Sequence, residues 1–350
     1  MDIRDVAIDA PKGREVLVRT AVAGVCHSDL HYCDRPKASL GGPAVLGHEA
    51  AGIVEEVGPE VRDFSPGDRV IVCVSYFCGK CEYCLVGRTN LCSNKPGRAK
   101  DETPRLSLEG KPLVQLAGIG AYAEQMLLHE NALVAIAPEM PLDKAALISC
   151  GVMTGMGAVL NRAKVAPAST VAVIGVGGIG MSVIQGARIA GARRIIAIDV
   201  LPYKLEQARR YGATDVVNAA DGDPVEAVRD LTGGGVDYAF EAVGSGKTAA
   251  QAFACLRDGG EAVMLGVAEP GETVEVPAAA LRREKILTGS SMGSNHFKID
   301  MPRYIELYFQ GKLMLDEMVT REFPLDGINE AFELLRGGEL MRSILVFEQT

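Results

Sequence analysis

Two different patterns of apolar and polar residues divide the chain near residue 150. Beyond this point, short apolar runs rich in β-branched residues alternate with amphipathic segments, which is typical of buried strands alternating with helices. The apolar runs predict six strands, at 170–175, 194–199, 215–218, 236–243, 261–266 and 285–290. The amphipathic segments predict helices at 178–190, at 202–211, from about 223, from about 247 and near 277–283. Because this alternation needs crossover connections, the predicted fold class is α/β, with a doubly wound six-stranded parallel sheet covered on both faces.

The segment before residue 150 shows little helical period. Its strand-like pieces are separated by Gly, Pro and Asp, which indicates a β-rich domain, and they lie at 15–20, 51–57 and 68–74. After about residue 292, two amphipathic helices precede a last strand, and we expect this tail to return to the first domain; these elements lie near 300–311, 326–336 and 343–347. The predicted organisation is a first domain at 1–151, the parallel-sheet domain at 152–291 and a return to the first domain at 292–350.

Composition and charge exclude several classes of protein. Apolar residues make up 48% of the chain, enough to bury a core, so intrinsic disorder is excluded. The net charge is −9 and no basic stripe offsets it, so we expect no nucleic-acid partner. The candidate membrane stretch, 171–187, contains five glycines and is shorter than a spanning helix, so we expect no membrane segment. No secretory pattern opens the chain, and a cytoplasmic location is predicted.

Cysteine usage points to metal binding. Nine cysteines in a reducing compartment argue for metal or catalytic sites rather than disulfides. Four of them form the run Cys78-x2-Cys81-x2-Cys84-x7-Cys92. Four thiolates around tetrahedral Zn²⁺ are the usual closed structural site. An iron–sulfur cluster is the alternative, but its common bacterial run has three residues before the fourth Cys and a Pro after it, whereas here the gap is seven and Ser93 follows.

A second group of candidate ligands is dispersed along the chain. The sequence C-H-S-D at 26–29 follows a strand-like run, G-H-E stands at 47–49, and Cys150 begins a Gly-rich stretch. Cys and His ligands with an open fourth position are typical of catalytic zinc. Spacing alone does not choose Cys150 over Cys33 or Cys73 as the remaining ligand, because a single Cys is often a small buried hydrophobe.

A glycine-rich turn ends the predicted strand at 170–174. The sequence G-V-G-G-I-G at 175–180 leads directly into a predicted helix. In this context the first glycine permits a tight turn, the second lets the backbone approach a pyrophosphate, and the third lets helix and strand pack closely. The helix N-terminus then faces the negative charge. A Rossmann dinucleotide site is therefore predicted, with contacts at Gly175, Gly177, Gly178, Ile179 and Gly180.

The residue that ends the next strand predicts which coenzyme is bound. Asp199 stands where an acidic residue is expected to hold the adenosine ribose hydroxyls. Its carboxylate would repel the 2′-phosphate of NADP and no Arg follows it, so the sequence favours NAD. Lys204 either contacts the same ribose or is a solvated helix charge.

In this order along the chain, the motifs resemble those of the zinc-dependent alcohol dehydrogenases of the medium-chain dehydrogenase/reductase family. The resemblance covers nearly the whole chain, from about residue 12. It is carried by C-H-S-D at 26–29, G-H-E at 47–49, the four-cysteine run at 78–92, C-G at 150–151 and G-V-G-G-I-G with Asp199. It implies a GroES-like β-rich catalytic domain beside the Rossmann domain, two zinc ions per chain and NAD as coenzyme.

The resemblance also implies the ligands of the catalytic zinc. Cys26, His48 and Cys150 would bind the metal, and Glu49 would lie beside it and be able to ligate it transiently. Asp29 resembles the carboxylate that orients the ligating His48.

Further implied roles concern the proton and the coenzyme. Ser28 and His31 resemble a proton relay. His27 and Arg342 resemble pyrophosphate contacts, and Thr154 resembles a contact on the nicotinamide side.

The implied reaction is hydride transfer between NAD and a small alcohol, giving an aldehyde or ketone. We expect a primary alcohol, with room for bulky or aromatic ones, and a homo-oligomer that is a dimer or a tetramer. The alternatives are a polyol, threonine-type or glutathione-adduct formaldehyde dehydrogenase, and a non-catalytic protein that binds zinc and NAD. The polar stretch 93–117 predicts a surface loop or lid, shorter than in the animal and plant enzymes of the family.

Overall fold

The structure, a computed structural model, describes residues 1–34, 40–99, 101–338 and 340–347. The chain forms two structural units. The first unit contains Met1–Cys150, His296–Phe309 and Leu315–Thr350, and the second contains Gly151–Asn295 and Gln310–Met314. The chain therefore passes between the units after Cys150, Asn295, Phe309 and Met314, whereas the sequence predicted two boundaries, after 151 and after 291.

The first part of the first unit is built mainly from short strands, because Gly, Pro and Asp interrupt its apolar runs. Its strands are β1 Ala7–Ile8, β2 Glu15–Val25, β3 Ala44–Val45, β4 Ala50–Val57, β5 Arg69–Val72, β6 Leu106–Leu108, β7 Lys111–Pro112, β8 Val114–Gln115, β9 Gln125–His129 and β10 Leu133–Ala135. Its helices are α1 His27–Asp34, α2 Glu82–Leu85 and α3 Leu142–Leu147.

The second unit alternates strands with helices, as predicted. Its strands are β11 Thr170–Ile174, β12 Arg194–Asp199, β13 Asp215–Asn218, β14 Val236–Glu241, β15 Leu256–Met264 and β16 Ile286–Gly289. Its helices are α4 Met153–Gly157, α5 Gly178–Ile189, α6 Pro202–Tyr211, α7 Pro224–Thr232, α8 Gly246–Ala254 and α9 Ala278–Leu281. The strands pair in parallel in the order β13-β12-β11-β14-β15-β16. This order confirms the predicted six-stranded Rossmann sheet, with the carboxyl ends of β11, β12 and β14 on one edge.

The last part of the chain completes the sheet of the first unit. It contains α10 Phe297–Phe309, β17 Arg321–Phe323, α11 Ile328–Arg336 and β18 Ser343–Val346. Strand β18 pairs antiparallel with β2, in the sheet order β10-β5-β4-β2-β18-β17, and β9 also pairs with β2. The register sets Ser343 opposite Val25, so Arg342 reaches the end of β2.

One long helical stretch, Leu142–Ala163, was not predicted. It comprises α3, α4 and the π-helical turns Ile148–Val152 and Ala158–Ala163. Its glycines lower helix propensity, but they permit close packing: a Cβ on Gly155 would lie 2.5 Å from Ser182, and one on Gly157 would lie 2.4 Å from the Gly293 carbonyl oxygen. The stretch is long and apolar enough to span a membrane, yet 89% of its apolar window is buried, as in a core helix.

Candidate functional site

Three buried side chains converge in the first unit to form a candidate metal centre. Cys26 lies between β2 and α1, His48 precedes β4, and Cys150 lies in the helical stretch that follows α3. Their two Sγ atoms and a ring nitrogen of His48 lie within 4.8 Å of one another. The three residues are 5%, 6% and 5% exposed. Such a set of two thiols and an imidazole suits Zn²⁺ and leaves one coordination position for another ligand.

The two other cysteines that spacing left open do not join this group in the described part of the chain. Cys73 is fully buried beside β5, and its Sγ accepts a hydrogen bond from the Ser75 N–H at 3.3 Å. Burial raises the pKa of Cys73 to about 12, so its side chain is a neutral thiol. Cys33 lies partly exposed on α1.

Asp29 fixes the orientation of His48. This carboxylate is fully buried in the first turn of α1, and its Oδ2 lies 2.9 Å from His48 Nδ1. Its Oδ1 accepts a hydrogen bond from the Gly47 N–H at 2.9 Å, and the Tyr122 hydroxyl lies 3.1 Å from Oδ2. With Nδ1 engaged by Asp29, the Nε2 atom of His48 remains for a metal. Sequence reasoning missed Tyr122, because no local pattern connects it to Asp29, which lies 93 residues earlier in the chain.

Ionisation of the cluster depends on its neighbours. A hydrogen bond with Cys150 lowers the pKa of Cys26 well below its usual value, against the effect of burial. The same hydrogen bond, with burial, raises the pKa of Cys150. Burial opposes a charge on His48, but Asp29 and Cys26 raise its pKa well above the usual value. One thiolate is thus stable by itself, and a divalent cation would stabilise both.

Glu49 and Arg342 form a buried ion pair beside the cluster. Arg342 Nη2 donates to Glu49 Oε1 at 2.6 Å, and the two residues are 6% and 0% exposed. A Cβ on Gly24 would lie only 2.0 Å from Glu49 Oε2, so this glycine in β2 makes room for the carboxylate. Arg342 was expected to contact a pyrophosphate, and at least one of its guanidinium nitrogens is hydrogen-bonded to Glu49 instead.

Helix α1 carries the residues expected to move the proton. The residues before 150 show little helical period, but His27–Asp34 is helical. Ser28 and His31 are both partly exposed and stand three residues apart, so they lie on neighbouring positions of one helix face. His27, the first residue of the helix, is exposed.

The four-cysteine run forms a second, separate candidate metal site. Its sulfur atoms lie together, with Sγ–Sγ distances of 4.0 Å for Cys78–Cys84, 3.4 Å for Cys81–Cys84 and 3.8 Å for Cys81–Cys92. A tetrahedron of Zn–S bonds of about 2.3 Å has edges of about 3.8 Å. Backbone N–H groups lower the pKa of Cys81 to about 6, whereas burial and the neighbouring thiols raise the pKa of Cys84 to about 12. Four thiolates therefore need a cation here, and this donor set fits zinc.

In the second unit, the three glycines of the glycine-rich turn have different surroundings. Gly175 has φ +84°, a conformation that favours glycine. A Cβ on Gly180 would lie 2.0 Å from the Gly175 carbonyl oxygen, so α5 could not begin so close to the turn with a larger residue. A Cβ on Gly177 would meet no atom within 4 Å. Gly177 is the N-cap of α5, whose first N–H groups, including those of Gly178 and Ile179, lack intrahelical acceptors and suit a phosphate.

Asp199 organises the same edge of the sheet. Its Oδ2 accepts a hydrogen bond from the Val176 N–H at 2.9 Å, and its Oδ1 accepts from Val200 and Leu201 at 2.8 and 3.1 Å. The carboxylate therefore links the end of β12 to the glycine-rich turn. Lys204 lies on α6, with its Nζ 6.0 Å from the centre of the Tyr203 ring.

In the second unit, Thr154 is buried, whereas three valines near the carboxyl ends of strands are exposed. Thr154 is 4% exposed on α4, and its hydroxyl lies 3.8 Å from Met292 Sδ. Val200, Val243 and Val267 are 56%, 55% and 53% exposed at the carboxyl ends of β12, β14 and β15. These valines were not predicted from the sequence, although apolar residues just beyond the ends of parallel strands are a usable signal of a ligand-binding edge.

Comparisons with known proteins cover both units. A family model described as "Alcohol dehydrogenase GroES-like domain" matches residues 12–138, and one described as "Zinc-binding dehydrogenase" matches residues 178–310. The class-3 alcohol dehydrogenase of Myxine glutinosa is 39% identical over 353 residues, which are 99% of this chain and 94% of that protein. The class-3 alcohol dehydrogenase of Cereibacter sphaeroides is 37% identical over 362 residues, 99% of this chain and 96% of that protein.

Solved structures of similar proteins superpose on nearly the whole chain. Benzyl alcohol dehydrogenase from Acinetobacter calcoaceticus superposes with a TM-score of 0.92 at 33% identity, covering 99% of this chain and 96% of that chain. An alcohol dehydrogenase zinc-binding domain protein from Burkholderia ambifaria also superposes with a TM-score of 0.92, at 35% identity, covering 98% of this chain and 94% of that chain.

Proposed function

Because the chain belongs to the zinc-dependent alcohol dehydrogenases of the medium-chain dehydrogenase/reductase family, we propose that it oxidises primary alcohols, including bulky and aromatic ones, with NAD as coenzyme. The products are aldehydes, and the reverse reduction uses the same groups. Each chain holds two zinc ions in unequal roles, one for catalysis and one for structure.

The observation that carries this proposal is the convergence of Cys26, His48 and Cys150. Their ligand atoms lie within 4.8 Å of one another, and Asp29 engages Nδ1 of the histidine at 2.9 Å. When bound, zinc supplies Lewis acidity at an alcohol oxygen, and NAD⁺ accepts the hydride. The side chains themselves keep the ligand atoms in place and exclude water, since all three are nearly buried.

Glu49 and Arg342 support the proposed centre by their charges. Their ion pair keeps a carboxylate and a guanidinium buried beside the three ligands. The positive charge of Arg342 also lowers the pKa of the Cys26 thiol and so helps to stabilise its thiolate. Glu49 is thus poised for the transient ligation that the family resemblance implies, once Arg342 turns toward another anion such as a pyrophosphate.

The proton leaves along α1 in this proposal. The Ser28 hydroxyl accepts the proton of the alcohol while it donates its own proton onward, and His31, on the same face of the helix, accepts a proton and releases it toward solvent. Both residues are partly exposed, which is what a relay between a buried centre and water requires. His27, Thr154 and Lys204 are proposed contacts of the coenzyme.

NAD is the proposed coenzyme because of Asp199 and the open space at Gly177. The Asp199 carboxylate already accepts three backbone N–H groups, so it is fixed in place at the end of β12. A fixed carboxylate accepts ribose hydroxyls and repels a 2′-phosphate.

Two neighbouring arginines bear on the choice of substrate. Arg98 and Arg105, which lie before the short strand β6, both form ion pairs with Glu15, and Arg98 also pairs with Asp9. These pairs connect the residues around Arg98 and Arg105 to the start of β2. Because both guanidinium groups are engaged with protein carboxylates, neither is left to pair with the carboxylates of a glutathione adduct, which is consistent with an uncharged alcohol as substrate.

We expect a homo-oligomer, a dimer or tetramer, in the cytoplasm. In support, β16 is an edge strand of the six-stranded sheet, and its Ile286 is 50% exposed. An exposed edge with apolar residues favours pairing with another copy. Light scattering after size-exclusion chromatography measures the number of chains.

The deciding experiment is a substrate panel on the zinc-loaded protein, followed through NADH absorbance. The panel compares ethanol, benzyl alcohol, a secondary alcohol, a polyol, threonine and S-hydroxymethylglutathione, each with NAD and with NADP. We expect the highest kcat/KM for a primary alcohol with NAD. A clear preference for the glutathione adduct or for threonine would select an alternative, and no turnover of any substrate would favour a binding protein.

A further inference from the structure

A buried carboxylate at the end of β14 has no part in the chemistry described above. Glu241 is 1% exposed. Its Oε1 accepts three hydrogen bonds, from the N–H of Val243 at 2.8 Å, the N–H of Gly244 at 2.6 Å and the hydroxyl of Thr248 at 2.8 Å. A single oxygen therefore shapes the turn after β14 and anchors the first turn of α8.

The turn held by Glu241 lies between two neighbouring loops of the same sheet edge. On one side, a Cβ on Gly175 would lie 2.6 Å from Val243 Cγ2, so the turn touches the glycine-rich loop after β11. On the other side, a Cβ on Gly244 would lie 2.6 Å from the carbonyl oxygen of Val267, just past β15. Displacement of this turn would therefore move both loops that border the proposed coenzyme site.

The two oxygens of Glu241 have different surroundings, and only Oε1 accepts hydrogen bonds from the described residues. The N-terminus of α8, capped by Ser245, partly compensates a negative charge at Glu241. The second oxygen, Oε2, is buried and accepts no hydrogen bond from the residues that the structure describes. A carboxamide would keep the accepting oxygen and place its NH₂ group where Oε2 now lies.

We propose that Glu241 is a positioning residue for the coenzyme, holding the turn 242–244 in the shape that binds the dinucleotide. This inference rests on the proposed use of NAD. Without the Oε1 acceptor, two backbone N–H groups lose their partner, and the turn must rearrange to satisfy them. The rearrangement weakens coenzyme binding without touching the metal ligands or the proton relay.

The experiment compares Glu241→Ala and Glu241→Gln with the parent enzyme in its zinc-loaded form. NADH binding is measured by fluorescence titration, and kcat and KM for NAD are measured separately. We expect Glu241→Ala to weaken NADH binding about 5- to 100-fold, from the usual range for unsatisfied buried groups. KM for NAD rises with it while kcat is not lowered in parallel, and Glu241→Gln restores most of the affinity.

Asp237 provides a matched control on the same strand. It lies near the amino end of β14, where its carboxylate accepts from the N–H and hydroxyl of Thr170, both at 2.7 Å, and pairs with Arg257. Asp237→Ala removes an equally well-bonded carboxylate far from the turn. We expect it to lower the melting temperature without changing the affinity for NADH.

Each outcome bears on the proposal. NADH affinity equal to the parent in Glu241→Ala, or Asp237→Ala weakening NADH as much, overturns it, and so does a Glu241→Gln variant as defective as the alanine variant. If Glu241→Ala does not fold, Thr248→Val removes one bond to the same oxygen, and about a 2- to 10-fold rise in the NADH dissociation constant is expected; no rise overturns the proposal. A parent that binds no NADH refutes the proposed coenzyme instead.

Discussion

Replacing Gly177 with Ala separates coenzyme binding from folding. Gly177 has φ −75° and ψ −162°, which alanine adopts without strain, and its Cβ would meet no atom within 4 Å. As an N-cap, alanine costs about 0.5–1 kcal/mol relative to glycine, but it also restricts the unfolded chain, which stabilises the protein by about 0.4–1 kcal/mol. The two effects nearly cancel, so the free energy of unfolding should change by less than about 1 kcal/mol.

The same substitution should weaken coenzyme binding, because the open space beside Gly177 is where a pyrophosphate would approach the backbone. A methyl group there pushes the phosphate away from the first N–H groups of α5. A hydrogen bond to a charged group contributes about 1.5–3 kcal/mol. Weakening one such bond therefore lowers NADH affinity by about 10- to 100-fold.

The matched control is Gly180→Ala in the same loop. Its Cβ would lie 2.0 Å from the Gly175 carbonyl oxygen and 2.9 Å from the Gly175 carbonyl carbon. Backbone has to move to relieve this contact, at a cost of about 1–3 kcal/mol or more. Urea unfolding of the coenzyme-free proteins and NADH fluorescence titration of the folded ones measure the two quantities independently.

We expect Gly177→Ala to unfold like the parent and to bind NADH weakly, whereas Gly180→Ala loses stability first. If Gly177→Ala binds NADH as tightly as the parent protein does, the pyrophosphate does not approach the backbone at Gly177. If Gly177→Ala loses as much stability as Gly180→Ala, a methyl group at position 177 is not accommodated in open space.

Three further predictions test other parts of the molecule. Cys26→Ser should abolish turnover and leave a folded protein with one zinc per chain, whereas Cys81→Ser should first lower stability; elemental analysis that finds one zinc or none in the active parent contradicts both. Asp199→Gly should erode a preference for NAD over NADP of about 100-fold, which corresponds to about 2–3 kcal/mol at an effective dielectric of 20–40; equal use of both coenzymes by the parent rejects this reading. Burial, with Arg14 nearby, lowers the pKa of His129 from 6.5 to about 4, so its contribution to stability is complete above about pH 6.5 and is lost as the pH falls toward 4. His129→Gln should remove that acid-sensitive part, about 1 kcal/mol after solvent screening, and an unchanged pH dependence of unfolding would contradict it.

The parallel sheet was predictable because its strands have a distinctive sequence pattern. β11 and β12 are continuous apolar runs buried on both faces, and their bounds follow the predicted ones closely. β15 begins at Leu256, earlier than predicted, because its first half, with Arg257 and Asp258, is exposed and resembles a turn. Helix α1 gave no periodic signal, since Asp29 and Leu30 are its buried residues. Short elements with a mixed face need tertiary contacts to define them.

The candidate site was predictable in its residue types and less so in its partners. Cys26 and His48 stand out by chemistry, but the choice of Cys150 depends on where the unpredicted helical stretch passes. The pairing of Arg342 with Glu49 arises from the alignment of β18 with β2, which no local pattern encodes. Long-range strand pairing decides such contacts, and a single sequence contains no direct record of it.

The charges around the three-ligand centre suit the binding of the proposed zinc ion with little change in total charge. Without one, a proton stays on the thiol of Cys150 and His48 is charged, because the pKa of each is raised, while Cys26 is a thiolate. A zinc ion requires both thiolates and a neutral imidazole. About two protons therefore leave when one divalent cation enters, and the total charge of the buried group hardly changes. Asp29 and the Glu49–Arg342 pair can consequently keep the same hydrogen bonds in either state, so the fold can form before the metal binds and hold the ligands ready for it.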